Sequence, residues 1–132
     1  MKAKIIIESS QNNQANDVVI KDCDFVETQN NYIISYLEDL YNNIINVDKN
    51  KNIVTVDKKS VGAREDYHSK LIFDLQICKK CSINTTEYSF FVDINTIKVD
   101  VLKENDNLYI NLKYYISDAY NEVNIKVKNI NN

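Results

Sequence analysis

The sequence predicts an α+β fold: an antiparallel meander sheet with one amphipathic helix packed on its apolar face, the sheet curved or rolled into a partial barrel. Two observations carry this. Residues 30–46 (NNYIISYLEDLYNNIIN) place Ile33, Leu37, Leu40, Tyr41 and Ile44 at three- and four-residue spacing, the pattern of a single apolar helix stripe. From His68 to about residue 130, apolar residues recur at period two, with turn-like separators between the runs.

Taken in order, AKIIIE at 3–8 is a short β-branched strand ending at the polar stretch SSQNNQAN. DVVIKDCDFVE at 17–27 alternates and reads as a second strand. The helix of 30–46 follows, with Tyr36 and Ile45 widening its stripe and Asn30 or Asn31 available as a cap. DKNKN at 48–52 is a turn, NIVTVD at 52–57 a strand, and KKSVGARED at 58–66 a loop. The meander then has five runs, each with one shared face. These are Leu71, Phe73, Leu75 and Ile77; Tyr88, Phe90, Val92 and Ile94; Ile97, Val99 and Val101; Leu108, Ile110, Leu112, Tyr114 and Ile116; and Val123, Ile125 and Val127. CKKCSINTT, NT, KENDN and SDAYN separate them. No repeat or linker divides the chain, so residues 1–132 form a single domain, with the helix stripe and the apolar sheet face covering each other.

The chain has 132 residues, enough to bury one core without staples. A net charge of -3 gives no attraction for nucleic acid or an anionic membrane. The longest aliphatic run is Ile5-Ile6-Ile7, which is too short for a membrane-spanning helix or for the apolar region of a signal peptide. The expected location is the cytoplasm. The favoured residues Asn, Ile, Lys and Tyr share A- and T-rich codons, while Gly, Arg and His occur once each, as Gly62, Arg64 and His68.

Three places can carry function. Cys78-Lys79-Lys80-Cys81 is a CxxC, and with Cys23 and His68 it makes up the four ligands of a Cys₃His zinc site. There is no second CxxC or HxxxH beside it, and the plainer reading is a turn with reduced thiols. In VGAREDYH, Gly62 permits a positive φ, Arg64 can grip a carboxylate or phosphate, and His68 can exchange protons, oriented by Glu65 or Asp66. No nucleophile motif accompanies them, so a solvated loop is the simpler reading. Third, alternation turns Phe91, Tyr109 and Tyr115 outward with Lys98, Lys113, Lys126 and Lys128. Aromatics among lysines suit a protein partner better than nucleic acid here, because Asp93 and Asp100 interrupt the positive field.

The function expected from these features is a non-catalytic protein-interaction or assembly module that self-associates and uses no cofactor. The alternatives are a small-molecule-binding or enzymatic domain with a pocket between helix and sheet, and a zinc-stabilised Cys₃His domain.

Overall fold

The computed structural model describes residues 2–62 and 66–131. The fold is all-β. Its strands are β1 (Lys2–Gln11), β2 (Gln14–Ala15), β3 (Val19–Glu27), β4 (Asn31–Glu38), β5 (Tyr41–Asp48), β6 (Ile53–Ser60), β7 (Tyr67–Phe73), β8 (Lys79–Thr85), β9 (Ser89–Glu104), β10 (Asn107–Ile116) and β11 (Ala119–Lys128). Each main strand pairs antiparallel with the next, and β11 returns to pair with β1, from Lys4 opposite Lys128 to Gln11 opposite Asn121. Ten strands thus close a barrel, with β2 a two-residue addition on β1.

This overturns the α+β expectation. Residues 30–46 form no helix; they are most of the β4–β5 hairpin, in register from Asn31 opposite Asp48 to Glu38 opposite Tyr41. The residues that face inward are Ile34, Tyr36, Ile45 and Val47, which alternate along the two strands. Leu37, Leu40 and Ile44, three members of the supposed helix stripe, are exposed. The segment is apolar on both faces, so it satisfies both periods. Its β-branched isoleucines and a turn residue decide for strand. Asp39 takes φ +54 at the hairpin tip, a conformation that Asp and Asn tolerate better than other side chains.

Two smaller corrections follow the same logic. The separator NT lies inside one sixteen-residue strand, β9. Ile97 is an extra residue there: Lys113 faces Lys98 but Tyr114 faces Thr96, a β-bulge that changes which residues point inward. Ile94 and Thr96 are buried above it and Val99 below, while Ile97 itself is exposed. In addition, β7 ends at Phe73, so Leu75 and Ile77 stand exposed in a loop, and most of CKKCSINTT is strand β8.

The barrel needs no helix because its own inner faces meet. Ile5, Ile34, Ile45, Ile94, Leu108 and Val127 are at most 1% exposed. Phe73 and Tyr114 pack with ring centres 4.7 Å apart in the interior. At the upper rim, which carries the turns after β4, β6, β8 and β10, Tyr41 and Tyr67 meet edge to face and Lys58 Nζ lies 4.8 Å from the Tyr41 ring centre. At the lower rim β9 leans across the opening. Asn52 Nδ2 donates to the Val99 carbonyl at 2.9 Å, and Glu27 accepts from Lys49 Nζ and Lys103 Nζ, each at 2.7 Å. Lys49 also lies 4.4 Å from the Tyr32 ring centre. Ile130, 1% exposed, completes this floor, its N–H donating to the Asp106 carbonyl. Among the described residues there is no helix, hence none long and apolar enough to cross a membrane.

Hydrogen bonds from Lys103 and then Lys49 hold the Glu27 carboxyl below its ordinary range, and the bond to Glu27 raises Lys103. A carboxyl held low contributes stability above the ordinary glutamate range and loses it as pH falls through its own lowered value. A raised lysine contributes below the ordinary lysine range and loses it as pH rises through its own raised value. Glu27→Gln is therefore expected to lower the melting temperature modestly at neutral pH. The gap to wild type should close toward acid and again in strong alkali; thermal melts across pH test this, and a pH-independent gap counts against it. Separately, Ile5→Ala is expected to cost about 2–5 kcal/mol in denaturant unfolding, while Ile20→Ala on the outer face costs about 0.5 kcal/mol or less.

Candidate functional site

The outer face of β9, β10, β11 and β1 brings together most of the expected aromatic and basic residues. Tyr109 and Lys126 stand directly opposite on β10 and β11, with Lys126 Nζ 5.5 Å from the ring centre. Asn107 Nδ2 donates to the Tyr109 hydroxyl at 3.3 Å. Lys113 faces Glu122 at 3.9 Å, and Lys98 pairs with Asp100 at 3.2 Å. Such half-exposed pairs add little stability, but they neutralise Lys98 and Lys113 locally, whereas Lys126 lies against the Tyr109 ring. Between these pairs, Asn111 Nδ2 donates to Glu122 and Asn124, while its carbonyl oxygen is buried with no partner among the described residues. A groove of about 590 Å³ runs here, lined by Ile6, Glu8, Leu102, Tyr109, Asn111 and Lys126 among others. Tyr115 lies beyond it, its ring 5.4 Å from that of Tyr120.

Phe91 is not part of this face. The β9–β10 ladder ends with Ile94 opposite Ile116, and β9 runs on upward through Ser89–Asp93 paired to β8 alone. Thr85 N–H donates to the Tyr88 carbonyl, which sets the phase of the β8–β9 hairpin. Alternate residues of an antiparallel strand bond to opposite neighbours. Phe90 and Val92 thus bond toward β8, whereas Ser89 and Phe91 present N–H and C=O groups on the other side, and Asp93 faces the start of the β10–β11 turn. Among the described residues nothing pairs with Ser89 and Phe91 on that side. Phe91 is 64% exposed, with Lys80 Nζ 5.9 Å from its ring centre, and Phe90 is 41% exposed at the barrel mouth. An unpaired backbone edge carrying two exposed phenylalanines is a template for another strand.

The polar loop is only partly described. Gly62 has φ +73 with open space where a Cβ would stand, so it serves the turn conformation rather than a close approach. Arg64 and Glu65 lie outside the described residues. His68 points outward from β7 and its Nε2 lies 3.0 Å and 3.1 Å from the two carboxylate oxygens of Asp57 on β6. Among the described residues Asp57, and not Asp66, orients the imidazole; finding it needed the β6–β7 register, which puts Asp57 opposite Lys70.

The four expected zinc ligands fall in different places. Cys23 and Cys81 point into the barrel from opposite walls, His68 is on the outer face, and Cys78 is exposed in the loop before β8. Among the described residues no group of three His, Cys, Asp or Glu side chains is placed to hold a metal ion. Cys81 has a structural task. The β7–β8 ladder stops at Lys70 opposite Ser82, and below it the Ile72 N–H donates to Cys81 Sγ at 3.2 Å. Burial raises the Cys81 thiol, and burial followed by Asp24 and Asp22 pushes Cys23 up to about 11, so both are protonated and unreactive at neutral pH.

A family model matches residues 3–127, almost the whole barrel. The chain belongs to that family, the domain of unknown function DUF1934. No curated protein matches the DUF1934 chain. Among solved structures, the ywiB protein from Bacillus subtilis is similar, with a TM-score of 0.79 over 97% of this chain and 91% of that one, at 15% identity. At that identity the likeness speaks for the fold alone.

In the native protein a thiol reagent is expected to label Cys78 only, with Cys23 and Cys81 reacting after unfolding; mass spectrometry of labelled peptides checks this. Cys81→Ala leaves the Ile72 N–H without its acceptor and is expected to cost about 1–3 kcal/mol in denaturant unfolding.

Proposed function

We propose that this DUF1934 protein is a non-catalytic protein-interaction module that takes up a strand of its partner along the open edge of β9. The observation that carries the reading is the unpaired side of Ser89–Phe91, with Phe90 and Phe91 exposed on it. Edge addition supplies affinity through main-chain hydrogen bonds and specificity through alternate side chains, so a rigid barrel serves it well. No cofactor enters the reading. The barrel interior is filled by its own side chains, and the mild acidity gives no attraction for nucleic acid. Three unpaired thiols suit a reducing compartment, and we place the protein in the cytoplasm.

A second reading rests on the outer groove. Its tyrosine, amides and charged pairs, with the unpartnered Asn111 oxygen, suit a small polar ligand. It ranks behind the first because Lys126, the lysine that lines the groove, already lies against the Tyr109 ring.

Amide hydrogen exchange resolved by residue tests the edge reading. In the monomeric protein the Ser89 and Phe91 amides are expected to exchange fast and those of Phe90 and Val92 slowly. Slow exchange at all four in the monomer means the edge is already covered, and the proposal is then wrong.

A further inference from the structure

We infer that the lower mouth of the barrel binds a small oxyanion, a phosphate or a carboxylate, beside the ammonium group of Lys103. The site lies at the opposite end of the barrel from the β9 edge, and its argument is independent of the edge reading.

The strand periods bring the charges there. Glu27 continues the inward set of Cys23 and Phe25 on β3, Lys49 that of Ile45 and Val47 on β5, and Lys103 that of Val99 and Val101 on β9. Each stands one step past the last apolar residue of its set, at the rim, where a charged head still reaches water. Tyr32 opens the inward set of β4 and faces Val47 across the β4–β5 ladder. Three charged side chains from three strands, none adjacent to another, thus meet over one opening.

Their charges do not cancel. Lys49 Nζ and Lys103 Nζ each lie 2.7 Å from an oxygen of Glu27, and among the described residues neither pairs with a second carboxylate. Two cations on one anion leave one positive charge in excess, and the two like charges repel. Lys49 is fully engaged, since it also donates to the Thr28 carbonyl at 2.8 Å and lies against the Tyr32 ring. Lys103 gives one of its three N–H groups to Glu27, and the others have no acceptor among the described residues. The bond to Glu27 also raises Lys103, so it stays charged at neutral pH.

Beside these groups there is room. A cavity of about 180 Å³ is lined by Tyr32, Val47, Lys49, Asn52, Val101 and Lys103. Glu27 is not among its walls, so the protein's own carboxylate does not fill it, and no acidic side chain lines it to repel an anion. Sites for whole drug-sized ligands are roughly 300–1,000 Å³, so this one suits an ion or the end of a short chain. The two valines and the tyrosine ring keep water off one side, which strengthens a charge-assisted hydrogen bond.

Titration followed by amide NMR tests this, with inorganic phosphate in one arm and sodium propionate in the other, at ionic strength held constant with sodium chloride. Saturable shifts are expected at Tyr32, Asn52 and Lys103. Saturation by phosphate alone assigns the site to phosphate, by propionate alone to carboxylates, and by both to oxyanions in general. Lys103→Met is expected to weaken binding about tenfold or more, the worth of one hydrogen bond to a charged group. Glu27→Gln is expected to tighten it, because the internal competitor is removed and two cations are left for the ligand. Saturation by neither anion at tens of millimolar overturns the inference. So does binding that is unchanged in Lys103→Met or weaker in Glu27→Gln. Where Lys103→Met fails to fold, the wild-type and Glu27→Gln titrations still decide.

Discussion

The pairing of β11 with β1 is the constraint on which the rest depends. Every other main ladder of the barrel joins strands that are neighbours in sequence, or in β1–β3 separated only by the short β2, so each can form locally as a hairpin or near-hairpin. The last one joins the two ends of the chain and sets Ile5 opposite Val127 and Ile7 opposite Ile125. Without it there would be a twisted ribbon with an apolar face and two long edges. With it the inner faces turn toward each other, and Ile5 and Val127 become fully buried. Closure is therefore both the source of the core and the reason that exposed edges are scarce.

Closure also makes demands on the turns. A meander this tight needs left-handed residues at its tips, and the chain has one glycine. Asn12, Asn13, Asp39, Asn52, Asn105, Ser117 and Asn129 have φ between 50 and 67 instead. Asn and Asp adopt this conformation more readily than other residues with a side chain. The asparagine-rich composition, whatever its codon origin, thus has a conformational use in this fold. Asp48 adds a further device, its Oδ1 accepting from the N–H groups of Asn50 and Lys51 to hold the β5–β6 turn.

Much of this was legible along the chain, and the failures share a cause. Leu108, Ile110, Leu112 and Tyr114 alternate cleanly and all are buried, so β10 and its outward Tyr109, Lys113 and Tyr115 could be read correctly. The helix over 30–46 could not be excluded by period, because Leu37, Leu40 and Ile44 are apolar residues left on the outside. The better cue was the isoleucine content and a hairpin tip at Asp39. The site followed the fold. Tyr109 and Lys126 met because alternation turned both outward and the β10–β11 register set them opposite, whereas Phe91 was separated from them once β9 proved longer than β10. Four Cys and His residues looked like a ligand set only while their faces were unknown. The Glu27–Lys103 bond, spanning most of the chain, had no local signal at all.

The bulge at Ile97 links the closed floor to the open edge. Below it Val99 is turned inward and Val101 is half-buried, while Lys103 reaches Glu27 across the lower rim. Above it the inward set is Thr96, Ile94 and Val92. A continuous period two through β9 could satisfy only one half, because the inward parity differs between them. The extra residue lets a single strand serve both. The Thr85–Tyr88 turn bond fixes the phase of the upper segment, in which Phe91 points out and Phe90 over the mouth. The bulge lets that phase coexist in one strand with the opposite parity below it.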